Sequence, residues 1–157
     1  MSAAETTITP AVHHQPGVDL FNETWSLLDN PDRLAAEADL MIHAAHASPC
    51  HWRQIGEPLN FARSDWQLSH VYAVLNRPEA ALYHGLHCLD ICQAEGIGDF
   101  DLAFAFESLA RASAIDGQPS EARRYFDLAQ EAGERIAEED DRQYFFAEPI
   151  TNTIDES

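Results

Sequence analysis

Apolar residues recur along this chain every three or four positions, the spacing of a helix with one buried face. Phe21 to Leu28, with Trp25, Leu27 and Leu28, is a short apolar stretch closed by Asn30-Pro31. A longer helix is predicted from about Asp32 towards Trp52, with Asp32 as its N-cap and Leu34, Ala38, Met41 and Ala45 along one face. Pro49 lacks an N–H and disfavours helical geometry at Ser48, so this helix is expected to kink or stop there. After the turn Gly56-Glu57-Pro58, a third helix runs to Leu75 through Phe61, Ala62, Trp66, Leu68, Ser69, Tyr72 and Ala73. The fourth spans about 78–94, with Ala81, Leu82, Leu86, Leu89 and Ile91, and Gly96 and Gly98 stop it. Asp99 can cap the fifth, about 100–115, and the sixth covers about 119–138.

Two of the breaks match. Asn76-Arg77-Pro78-Glu79-Ala80-Ala81 is answered by Gly117-Gln118-Pro119-Ser120-Glu121-Ala122, with Pro78 and Pro119 standing 41 positions apart (119 − 78). In both, proline falls at the first turn of a helix, where its missing N–H costs nothing. Paired helices at a fixed period predict a helical-repeat scaffold.

The residues around these breaks carry a family resemblance. Leu68-Ser69-x-x-Tyr72 followed by Ala81 resembles the tetratricopeptide pattern, as does Leu109-Ala110-x-x-Ser113 followed by Ala122-x-x-x-Phe126-x-x-Ala129. Small residues at these positions let paired helices approach closely. The likeness covers about residues 59–138. It departs at Gly85, where the family favours an aromatic, at Cys88 in place of alanine, and at Ser113. The closing proline is missing from both copies. The period exceeds the family's usual ~34 residues by about two helical turns. The whole chain is also similar to small bacterial proteins with like Ala45-His46-Ala47-Ser48 and Trp66-Gln67-x-Ser69 segments, a resemblance that implies a fold and supplies no reaction.

The expected architecture is therefore all-α: antiparallel helix hairpins in a tetratricopeptide-like superhelical bundle of five to six helices. The organisation read from the chain is a flexible tail over 1–18, one helical domain over 19–146, and a flexible acidic tail over 147–157. The run Glu138-Glu139-Asp140-Asp141 is expected at the sixth helix's C-terminus, where it opposes the macrodipole and frays the end. Tyr144-Phe145-Phe146 can fold back onto the body.

Charge narrows the functional classes. Nine basic residues, all arginine, stand against 27 acidic ones, a net charge of −18. Such a surface repels phosphate backbones and anionic lipid, so neither nucleic acid nor membrane is expected as a partner. Cys50, Cys88 and Cys92 form no paired framework and read as reduced packing residues. The chain has no apolar run of membrane-span length and no signal-peptide pattern, which together point to the cytoplasm.

Three constellations could carry chemistry. The resemblance implies a groove lined by the first helix of each pair. The side chains turned into it would be Arg63, Trp66 and His70 in one copy and Phe104, Glu107 and Arg111 in the next. Arginine with aromatics is the chemistry of interface hot spots. The competing reading makes Trp66 core and Glu107–Arg111 a surface ion pair. His43, His46 and Cys50 would share a helix face and could hold zinc or another divalent transition metal. His84, Cys88 and Cys92, stepping by four with His87 beside them, form a weaker cluster in which packing accounts for the cysteines. No glycine-rich phosphate loop occurs, and no nucleophile arrangement rises above chance among eight histidines. The leading expectation is a cytoplasmic scaffold, rather than an enzyme, that binds a peptide or protein segment through Arg63, Trp66, His70, Glu107 and Arg111. The alternative is a metal-binding protein or metal-dependent enzyme using His43, His46 and Cys50. A third reading is a self-association module, a homodimer docked through Tyr144-Phe145-Phe146.

Overall fold

The computed structural model describes residues 9–147, and every regular element among them is helical. A 3₁₀ turn, Pro10–His13, leads into α1 (His14–Leu28), α2 (Ala35–Ile55), α3 (Pro58–Val74), α4 (Pro78–Ala94), α5 (Asp99–Ile115), α6 (Pro119–Glu134) and α7 (Glu139–Ala147). Consecutive helices pair as hairpins, α1 with α2, α3 with α4, α5 with α6. The odd-numbered helices also touch one another in series, α1 to α3, α3 to α5, α5 to α7, and the even-numbered ones back them. The chain is thus an all-α protein of two helix layers.

The repeat seen in the sequence returns as a repeated turn. Asn76 and Gly117 both take positive φ, 54° and 69°. At the first turn the Arg77 N–H reaches back to the Tyr72 carbonyl (2.8 Å). At the second the Gln118 N–H reaches the Ser113 carbonyl (3.0 Å). Each bond satisfies a carbonyl that the helix end would leave open. Ala81 and Ala122 then sit buried one turn into α4 and α6. In the first pair, the buried Ser69 hydroxyl donates to the Ala81 carbonyl at 2.8 Å, tying α3 to α4. Gly85 explains one departure from the family pattern. A Cβ there would lie 2.9 Å from Leu109 Cδ2, so the missing side chain is what admits α5 against α4.

Several expectations are corrected. The described residues form seven α-helices, slightly more than the five to six expected. The N-terminal tail does not extend to residue 18: α1 begins at His14 and Gly17 is buried. Asp32 is not the cap of α2. The helix starts at Ala35, and the Leu34 N–H donates to the Glu37 carboxylate at 2.8 Å. Nor does Pro49 end α2, which continues to Ile55. A proline inside a helix costs about 3 kcal/mol. Here the segment beyond it is held by α1. The Ser48 hydroxyl donates to the Gly17 carbonyl at 2.7 Å, and Trp52 packs so closely over Gly17 that a Cβ there would come within 2.9 Å of the indole. Burial of an aromatic of this size stabilises by about 3 kcal/mol or more.

The C-terminal end also differs. α6 stops at Glu134, so the acidic run does not fray it. Glu139, Asp140 and Asp141 instead form the first turn of α7, where the same macrodipole favours them by a few tenths to about 1 kcal/mol each. Phe145 is buried against Phe104 and seats over Gly133, where a Cβ would collide with the Phe145 ring and lie 2.9 Å from Phe146. Phe145 is thus satisfied within its own chain, which removes the central residue of the proposed self-association segment. Residues 1–8 and 148–157, the remainder of the two expected tails, lie outside the described residues. Among the described residues no helix is long and apolar enough to cross a membrane.

Candidate functional site

The contact of α3 with α5 builds a ladder of side chains on the odd-numbered layer. Arg63 pairs with Asp101 in a two-pronged contact, Nε to Oδ1 at 2.8 Å and Nη2 to Oδ2 at 3.2 Å. Trp66 packs on Phe104 with ring centroids 5.0 Å apart. Arg111 donates to Nδ1 of His70 and, through Nη2, to Glu107 at 2.6 Å. His70 and Arg111 pair at 41 residues, the sequence period, while Arg63–Asp101 and Trp66–Phe104 pair at 38, one helical turn short of it. All five residues of the expected groove belong to this ladder, together with Phe104.

α1 and α7 close the ladder from the two sides. Trp25 lies 5.2 Å from the Trp66 ring and 5.6 Å, edge-on, from His70. On the other side Phe100 stacks near Phe104 (4.6 Å) and Tyr144 stands 6.2 Å from both. Phe21, Trp25, Trp66, Phe100, Phe104 and Tyr144 wall a pocket of about 330 Å³ between α1, α3, α4, α5 and α7, with Arg63, Cys88 and Asp101 also in its lining. That volume sits at the small end of ligand sites.

The two ends of the ladder differ electrostatically. The Arg63 side chain is 48% exposed, and its hydrogen bond to Asp101 holds its guanidinium above its ordinary pKa. His70 lies deep, and burial, then the Arg111 charge, push it down to about 3. It is therefore a neutral imidazole at neutral pH. Because arginine can only donate, Nδ1 is the acceptor and the proton sits on Nε2. Glu107 and Arg111 are nearly buried, with side chains 6% and 16% exposed. The expected surface ion pair is thus an interior one, where losing one partner strands a charge. Two buried N–H groups of the ladder, Trp66 Nε1 and Arg111 Nε, meet no acceptor among the described residues.

No protein-family model, curated protein or solved structure matches the chain. The functional reading therefore stands on the geometry.

The other two constellations are placed elsewhere. His43 and Cys50 are exposed on α2, while His46 turns to Tyr72, Nε2 to hydroxyl at 2.8 Å. Tyr72 stacks on His84 at 5.7 Å and 5°, and His84 Nδ1 meets Asp65 at 2.8 Å. Burial, then His84, lower the pKa of His46. This cluster joins α2, α3 and α4. It does not meet His70, because residues two apart on a helix face nearly opposite ways. Among the described residues no three His, Cys, Asp or Glu side chains gather closely enough to hold a metal ion. Cys88 and Cys92 are buried in α4, and Cys88 reaches the pocket wall. Its hydrogen bond to Cys92, then burial, push the Cys88 thiol up, which makes it an inert packing thiol.

The reading from sequence missed Asp101, Trp25, Phe100 and Tyr144. Asp101 was within reach: it lies 38 residues beyond Arg63, the offset that also joins Trp66 to Phe104. Phe100 is one turn before Phe104. Trp25 and Tyr144 carry no such signal, since their helices match neither repeat copy.

Proposed function

We propose that this chain is a tetratricopeptide-like binding scaffold, and that the odd-numbered layer takes a peptide or protein segment. The observation that carries this reading is the aromatic pocket itself. Five helices contribute its walls, and the ladder beneath is cross-braced by Arg63–Asp101 and Arg111–His70, so it is preorganised rather than formed on binding. A concave aromatic pocket beside an arginine is the usual seat of an anchor side chain. The acidic, lysine-free composition and three free thiols suit a reducing cytoplasm.

Selection of a displayed random-peptide library on the full chain tests this. Enriched peptides should bind the wild type and lose about tenfold or more in affinity to Trp66→Ala, with helicity retained. Tyr144→Ala supplies a second variant, since Tyr144 is 54% exposed and its truncation spares the core. Peptides whose binding ignores both substitutions, or no enrichment at all, would overturn the reading.

A further inference from the structure

The pocket and its surroundings ask for different chemistry from one occupant. Inside, the walls are aromatic, and the two charges in the lining satisfy each other: both carboxylate oxygens of Asp101 are taken by Arg63. A charged group entering here would lose its hydration and find no free counter-charge. Trp66, one of the wall residues, has a buried indole N–H that meets no acceptor among the described residues. The group that fits is neutral and largely apolar.

Outside the pocket the field is strongly negative. Of the nine arginines, Arg63, Arg111, Arg123, Arg124 and Arg135 are paired with the chain's own carboxylates. Arg33 and Arg142 donate to main-chain carbonyls. Few cations are therefore spare to offset the chain's net charge of −18. Part of it lies next to the pocket. Asp140 and Asp141 are four and three positions before Tyr144, hence on the same side of α7, and both are exposed.

We infer that the occupant is a neutral aromatic or aliphatic side chain carried on a lysine- and arginine-rich polypeptide segment, its basic flanks lying along the acidic start of α7. This rests on the binding reading above and names its partner chemistry. The negative field speeds encounter with a basic chain and rejects acidic ones, and the pocket supplies the anchor.

The test uses a peptide from the library selection, synthesised in three forms: as selected, with its basic residues changed to glutamine, and with its anchor changed to alanine. Binding is followed by fluorescence anisotropy at low and high salt. The selected form should carry basic flanks and bind about tenfold tighter than either altered form, and salt should weaken it. Asp140→Asn with Asp141→Asn should weaken it severalfold while the circular dichroism stays unchanged. Suppose the selected peptides lack basic residues, or the glutamine form binds equally well while Trp66→Ala still abolishes binding. The inference then falls and the binding reading stands. Equal binding by the alanine form means charge alone, and also overturns it. If the selection yields no Trp66-dependent binder, the binding reading itself fails.

Discussion

His70 gives the sharpest physical test of the ladder. It is neutral in the fold, with a pKa of about 3 against 6.5 for a free imidazole, because burial and the Arg111 charge oppose its protonation. The unfolded chain takes up this proton below pH 6.5 and the folded chain does not until about pH 3. Unfolding is then linked to proton uptake, so stability falls as pH drops through that window and is fully present above it. The slope is about 1.4 kcal/mol per pH unit, so between pH 7 and pH 5 His70 alone should cost about 2 kcal/mol. His70→Gln retains an acceptor for Arg111 and cannot titrate. Urea denaturation of both proteins at the two pH values, followed by far-ultraviolet circular dichroism, isolates the effect. The variant's other groups titrate as in the wild type, and only the change in the stability gap matters. The wild type should lose about 2 kcal/mol more than the variant. An equal loss in the two proteins would show that His70 is not held neutral and that the Arg111 contact is not as described.

Other consequences are simpler to check. Gly133→Val should expel Phe145 and undock α7, costing about 2–4 kcal/mol and raising hydrogen exchange over 139–147 while α3 to α5 stay protected; unchanged protection of α7 would contradict its seating. Gly85→Phe, which restores the aromatic favoured by the tetratricopeptide pattern, should destabilise by about 1–3 kcal/mol through overpacking against Leu109 and Ser108. A neutral or stabilising result would mean α4 and α5 are less close than described. In the native protein only Cys50 should react quickly with a thiol reagent, and all three cysteines should react after denaturation; rapid native labelling of Cys88 would refute its burial.

What the chain determined by itself is local. Pro78 and Pro119 at helix starts, and Asn76 and Gly117 in the left-handed turns before them, act within one turn of the backbone, so the two hairpins and the span of α4 were legible residue by residue. The period also put Arg63, Trp66 and His70 on one helix and Phe104, Glu107 and Arg111 on the next odd-numbered one, though of the three cross-helix pairs only His70–Arg111 meets at that spacing.

What only the tertiary structure decided depends on contacts distant in the chain. α2 passes Pro49 because the carbonyl of Gly17, 31 residues before Ser48, accepts a hydrogen bond from the Ser48 hydroxyl, and Gly17 makes room for Trp52. The acidic run favours a helix instead of fraying one because Phe145 finds Phe104 and Gly133, which gives α7 a reason to start. Trp25 and Tyr144 become pocket walls, and His70 a neutral acceptor, through neighbours that no spacing rule connects. Local propensity is written in short windows, whereas burial is a property of the assembled layers. The all-α hairpin architecture could therefore be read from the sequence, and the depth and charge of the pocket could not.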